Sequence, residues 1–114
     1  MEKNLIAEKF RTILERRMAL HLEDDIQPEQ CWKEEIEILS QNIEETILFL
    51  EKDCTADEFS WMSEIFEEIV EKTQSREFIN CLYRVAEKYP EEAEKYHIVK
   101  NIKFAEKFLV DKEV

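Results

Sequence analysis

A chain of 114 residues can bury one hydrophobic core but is too short for two ordinary domains. Its 28 acidic and 16 basic residues give a net charge of −12, which disfavours binding to nucleic acid or to an anionic membrane unless a basic patch is present. The sequence contains no glycine and only two prolines, so the usual residues of hairpin turns and phosphate-binding loops are missing. The composition therefore predicts an all-α fold.

Two helices are predicted in the first half of the chain. An apolar arc at helical spacing predicts an amphipathic helix over about 3–23, and His21 near that arc is interpreted as a boundary residue with a local hydrogen bond. Pro28 suits the first turn of a second helix. Because apolar residues keep one phase from Trp32 to Leu50, we expect a single long helix over 28–52, with a break at Ser40 as the alternative.

The stretch 55–75 carries the clearest helical pattern in the chain. Thr55 and Glu58 have the spacing of a capping box, in which each side chain accepts a hydrogen bond from a backbone amide of the first turn. The apolar residues of this stretch share one arc: Phe59, Met62, Ile65, Phe66, Ile69 and Val70. The pattern predicts one continuous helix with a packed face and a charged face.

After this helix, the apolar arc of 78–89 is displaced by about half a turn, so one straight helix cannot bury both arcs. We expect a bend at 73–75, a fourth helix capped by Ser75, and a stop or kink at Pro90. A turn or helical corner over 91–97 then leads to a last helix over 98–110. The prediction is a single-domain, all-α bundle, residues 1–114, of about five antiparallel-packed amphipathic helices, with a helical-repeat arrangement as a variant.

The sequence offers no catalytic or metal-binding constellation. Cys31, Cys54 and Cys81 have neither Cys-x-x-Cys nor zinc-finger spacing. Glu94 and His97 have the Glu-x-x-His spacing of di-iron bundles, but the second copy and the two further inward glutamates are missing. We expect no enzyme activity, no metal and no cofactor. The acidic first residues and the lack of an apolar run predict neither a signal peptide nor a membrane span, so the cytoplasm is the expected compartment.

The charged side of the central helix is the candidate binding surface. Trp61 borders four carboxylates there: Asp57, Glu64, Glu68 and Glu71. Trp61 either packs beneath a neighbouring helix or is exposed as an interface anchor, because tryptophan is enriched among binding hot spots. The acids would engage lysine or arginine of a basic protein partner. Elsewhere the largest basic cluster, Arg11, Arg16 and Arg17, is typical of a solvated helix flank.

Four runs in the second half of the chain form a combined pattern: Asp57-Glu58-Phe59, residues 64–75 (EIFEEIVEKTQS), Lys88-Tyr89-Pro90 and Tyr96-His97-Ile98. In this pattern the chain resembles the small acidic helical immunity proteins of bacterial polymorphic toxin systems, including contact-dependent growth inhibition systems. This resemblance implies a cytosolic inhibitor that binds the C-terminal toxic domain of a cognate effector, often a nuclease. Residues 1–54 show no match, and contact residues vary among such proteins, so it assigns no site residue. The alternative function is a helical scaffold or regulatory module that binds a partner's peptide in a groove.

Overall fold

The computed structural model describes residues 5–19 and 28–110, and within these ranges it contains helices and no strand. The elements are α1 (Leu5–Met18), α2 (Pro28–Gln41), α3 (Ile43–Lys52), α4 (Ala56–Met62), a 3-10 turn (Ser63–Ile65), α5 (Phe66–Thr73), α6 (Arg76–Lys88), α7 (Pro90–Lys95) and α8 (Ile98–Glu106). The all-α prediction is confirmed. The predicted number of about five helices is imprecise, because two of the predicted helices are divided and the corner before α8 is itself helical.

Helix α1 buries the apolar arc expected from the sequence, with Phe10 fully buried and Ile6 and Leu14 nearly so, whereas Met18 is 42% exposed. Helix α1 ends at Met18. The predicted extension of this helix to residue 23 and the interpretation of His21 lie outside the described residues.

The prediction of one helix over 28–52 is wrong, because the helix is interrupted at Asn42, two residues after the Ser40 break that was the alternative. Asn42 has extended backbone angles, and its side chain accepts a hydrogen bond from the Glu45 amide at 3.3 Å, so it caps α3. The hydroxyl of buried Thr46 donates to the Leu39 carbonyl at 2.7 Å. In an uninterrupted helix that carbonyl would accept from Ile43, so Thr46 supplies the partner that the break removes.

The central helix starts as predicted but is not continuous. The capping box is present: the Thr55 hydroxyl accepts from the Glu58 amide at 3.1 Å, and the Glu58 carboxylate accepts from the Thr55 amide at 3.0 Å. All six residues of the predicted apolar arc are buried. The helix tightens into the 3-10 turn where the Ser60 and Ser63 hydroxyls donate to the carbonyls of Asp57 and Ser60, a local competition that bends helices.

The bend predicted at 73–75 is confirmed. Gln74 adopts a left-handed conformation with φ 51°, a position at which glycine is the usual residue. Its side-chain amide donates to the Phe108 carbonyl at 2.9 Å and accepts from the Val110 amide at 2.8 Å, so these bonds help hold the unusual backbone. Ser75 caps α6 by accepting from the Phe78 amide at 3.0 Å.

Helices distant in sequence pack together around the core. α3 packs on α6, α5 on α8, and α1 on both α2 and α3. In a helical-repeat protein each repeat contacts only its neighbours, and these contacts join helices no more than three positions apart along the chain, so the helical-repeat arrangement stays a prediction. None of the helices in the described part of the chain is long and apolar enough to cross a membrane.

Candidate functional site

The structure separates the five residues of the predicted binding surface into different environments. Asp57, Glu68 and Glu71 are exposed, and within the described residues none of them forms an ion pair. Glu64 is paired with Arg17, and Trp61 is only partly exposed. The charged face expected from the sequence is therefore present, but one of its carboxylates is already engaged from α1.

Arg17 is the residue that joins α1 to this surface. Its guanidinium lies 5.0 Å from the centre of the Trp61 ring and 5.7 Å from that of Trp32, and its Nη2 donates to Glu64 Oε1 at 2.6 Å. The side chain is only 19% exposed. From the sequence, Arg17 was interpreted as part of a solvated helix flank. Its spacing of four residues from Ile13 and three from Leu14, within the apolar arc of α1, was the available signal for burial.

Beside this arginine, Glu35 of α2 is 1% exposed, and its Oε2 has no hydrogen-bond partner among the described residues. Burial raises the pKa of the Glu35 carboxyl to about 7, the negative charge of Glu64 adds to this rise, and the positive charges of Arg17 and Arg16 oppose it. Glu35 was not among the residues singled out from the sequence. It lies four residues from both Cys31 and Leu39, which are buried, so all three share one face of α2. The Glu35 carboxyl therefore keeps its proton at pH values at which an ordinary glutamate is already ionised.

A cleft of about 310 Å³ opens on the exposed side of α4 and the 3-10 turn. It is lined by Asp57, Ser60, Trp61, Ser63, Glu64 and Tyr96. Three of the five predicted site residues thus meet in one cleft, whereas Glu68 and Glu71 lie further along α5 and do not line it. Tyr96, which follows α7 and is 44% exposed, completes the wall and was not among the predicted site residues.

A larger groove of about 580 Å³ lies between α6 and α8, with α7 at one end. Its lining is mostly apolar, with charged residues among it: Tyr83, Ala86, Glu87, Pro90, Ala93, Glu94, His97, Val99 and Lys100. Glu94 and His97, considered above for their metal-ligand spacing, both line this groove. Nowhere in residues 5–19 and 28–110 do three or more His, Cys, Asp or Glu side chains come together as a metal site would need.

A second basic cluster, which was not singled out from the sequence, lies at the C-terminal end of the described chain. Helix α8 exposes Lys100 and Lys103, and exposed Lys107 follows as its C-cap. The three lysines are spaced three and four residues apart, so they lie on one side of the helix. Exposed Phe104 lies among them, and the Lys107 ammonium is 5.6 Å from the centre of its ring. The molecule therefore has a small basic face in addition to its acidic one.

The three cysteines are free and buried, and burial raises the pKa values of the Cys54 and Cys81 thiols, so these two are poor nucleophiles. The arrangement around α4 and α5 is instead suited to recognition, with carboxylates and aromatic rings available to a cationic group. No protein-family model, no curated protein and no solved structure matches this chain, so the function proposed below rests on the residues of the site.

Proposed function

We propose that this chain is an immunity protein that binds and neutralises the basic surface of a cognate toxin domain through the acidic side of α4 and α5. The observation that carries the proposal is the set of exposed carboxylates, Asp57, Glu68 and Glu71, that no cation of the described residues neutralises. A surface with unpaired charge of one sign attracts a partner of the opposite sign and raises the rate of association.

The arginines strengthen this interpretation because each is engaged by another acid, so none of them pairs with Asp57, Glu68 or Glu71. Each of the five arginines pairs with an acid on another helix or turn: Arg11 with Glu58, Arg16 with Glu34, Arg17 with Glu64, Arg76 with Glu106 and Arg84 with Glu51. Both members of each of these ion pairs belong to this chain. The negative charge that remains is available to a partner, and a protein that occupies a basic cleft of a toxin excludes the substrate of that toxin.

The proposal predicts that the reading frame immediately upstream of this chain encodes the toxin domain. The test is to purify that domain as an inactive variant and to offer it to the immobilised protein at low salt. We expect binding that weakens with salt, and the double variant Glu68→Lys, Glu71→Lys should bind roughly tenfold more weakly or worse, since two attractions become repulsions. Glu87→Lys makes the same kind of charge change on α6 and should have a smaller effect. Failure to bind at low salt would remove the proposal.

The groove between α6 and α8 favours a second candidate function, a module that binds a partner's peptide. Its mostly apolar lining would hold apolar side chains, and such binding changes little with salt. In the same experiment, a loss confined to Glu87→Lys, together with salt-insensitive binding, would favour this second function over the first.

A further inference from the structure

Hydrogen-bond acceptors predominate in the cleft beside α4, where the side-chain donors are the Trp61 indole N–H and the Tyr96 hydroxyl. Asp57 contributes an exposed carboxylate, and Glu64 contributes a second carboxylate, of which Oε1 already accepts from Arg17. The hydroxyl hydrogens of Ser60 and Ser63 are directed to backbone carbonyls, which leaves their oxygens as acceptors. The carboxylates of this cleft therefore favour an entering group that carries donors and a positive charge over a negatively charged one.

The two aromatic rings of the cleft already attract cations of the same chain. The Arg17 guanidinium lies over Trp61 at 5.0 Å, and the Lys95 ammonium lies over Tyr96 at 5.3 Å. Both distances are within the range at which a cation is attracted by the ring quadrupole. Arg17 in particular combines stacking on Trp61 with a hydrogen bond to Glu64 at 2.6 Å, so the structure contains one working example of guanidinium recognition by these side chains.

We propose that this cleft binds a single arginine side chain from a partner protein, with the guanidinium against Trp61 and Tyr96 and hydrogen-bonded to Asp57. The proposal rests on the proposed function and names the anchor of that interface. Arginine fits better than lysine because its planar guanidinium stacks on aromatic rings, matches a carboxylate with two parallel donors and loses less hydration than an ammonium. A volume of about 310 Å³ accommodates one such side chain.

The first test uses the protein alone and three blocked amino acids as probes: N-acetyl-arginine amide, N-acetyl-lysine amide and N-acetyl-citrulline amide. Titration at low salt, followed by the NMR signal of the Trp61 indole N–H, should give a Kd on the order of 10 mM for the arginine probe, since one stacked and hydrogen-bonded cation contributes only a few RT. The lysine probe should bind several-fold more weakly, and the uncharged citrulline probe should produce no saturable shift. Equal responses to arginine and citrulline would overturn the proposal.

Variants locate the binding within the cleft. Asp57→Asn should weaken the arginine probe roughly tenfold, since the charged acceptor is lost. Tyr96→Ala should weaken it as well, and this side chain is exposed enough that its removal leaves the core intact. Glu77→Gln removes the same charge from an exposed position on α6 and should leave the affinity for the probe unchanged. Equal effects of Asp57→Asn and Glu77→Gln would show only a general response to charge and would contradict the proposal.

The toxin domain then separates this proposal from the function on which it rests. If the domain binds wild type and Asp57→Asn equally but fails to bind Glu68→Lys, Glu71→Lys, the inhibitor function stands and the arginine anchor is wrong. If the domain binds none of these proteins while the arginine probe still binds, the cleft recognises arginine and the proposed function fails. Loss of affinity in both Asp57→Asn and the double variant is the expected result.

Discussion

The buried carboxyl of Glu35 makes the stability of the folded protein depend on pH. Its carboxyl is almost fully buried, and its pKa is raised to about 7 mainly by that burial. In the unfolded chain the same group titrates near its ordinary value of 4.5, so at intermediate pH the folded protein holds a proton that the unfolded chain has released. The contribution of this carboxyl to the free energy of unfolding is therefore fully present below pH 4.5, and it is lost as the pH rises through about 7.

Replacing Glu35 with glutamine should remove this pH dependence. Urea unfolding of the wild type, followed by tryptophan fluorescence, should lose roughly 2 kcal/mol more free energy of unfolding between about pH 5 and about pH 8 than unfolding of Glu35→Gln does. Glu37→Gln, on the exposed side of the same helix, should keep the wild-type pH dependence. If Glu35→Gln and the wild type change equally with pH, the carboxyl does not hold its proton near neutrality.

At the scale of the helices, the junction between α2 and α3 depends on Thr46. Its hydroxyl donates to the Leu39 carbonyl at 2.7 Å and is fully buried. Valine has nearly the same shape but no donor, so Thr46→Val should leave that carbonyl without its partner and lower the free energy of unfolding by about 1 to 3 kcal/mol. Thr12→Val removes an exposed hydroxyl that bonds to Glu8 within α1, and it should change stability by less than about 0.5 kcal/mol. Urea unfolding compares the two, and equal losses would contradict this role for Thr46.

The same junction illustrates which parts of the fold the sequence predicts. Periodicity identified the apolar faces, including all six buried residues of α4, the turn and α5, and local capping chemistry located Thr55 and Ser75. Periodicity did not locate the break at Asn42, because the apolar phase continues across it while a side-chain cap and Thr46 replace the lost helical bonds. Phase alone reports which face is buried and carries little information on whether the backbone is continuous.

Like the fold, the candidate site was predicted from the sequence only in part. Helical spacing predicted that Asp57, Trp61 and Glu64 lie on one surface, and these three residues do line one cleft. Tyr96 reaches the same cleft from the end of α7, and Arg17 reaches Trp61 from α1. Such contacts depend on how helices distant in sequence pack, which the pattern of a single helix does not contain.

For the molecule as a whole, the distribution of charge separates the roles of arginine and lysine. The five arginines connect separate elements of the fold through ion pairs, whereas Lys100 and Lys103 of α8 and Lys107 just after it form no ion pair within the described residues. The net charge of −12 is therefore carried largely by exposed carboxylates that repel one another. The more exposed pairs, such as Arg16–Glu34, contribute about 0 to 1 kcal/mol each, and partly buried pairs, such as Arg17–Glu64, are screened less by salt. We therefore expect the relief of repulsion to dominate when salt is added.

The whole-molecule prediction is that salt stabilises this protein. Raising NaCl from about 20 mM to about 500 mM should increase Tm by about 4 °C, corresponding to roughly 1 kcal/mol of relieved repulsion. Glu71 and Glu87 are exposed acids in the last turns of α5 and α6, where a negative charge also opposes the helix dipole. The double variant Glu71→Gln, Glu87→Gln should therefore be more stable than wild type at low salt and should gain less from added NaCl, as measured by thermal unfolding followed by circular dichroism. A Tm that falls with salt in the wild type would show instead that the five interhelical arginine pairs dominate its electrostatic stability.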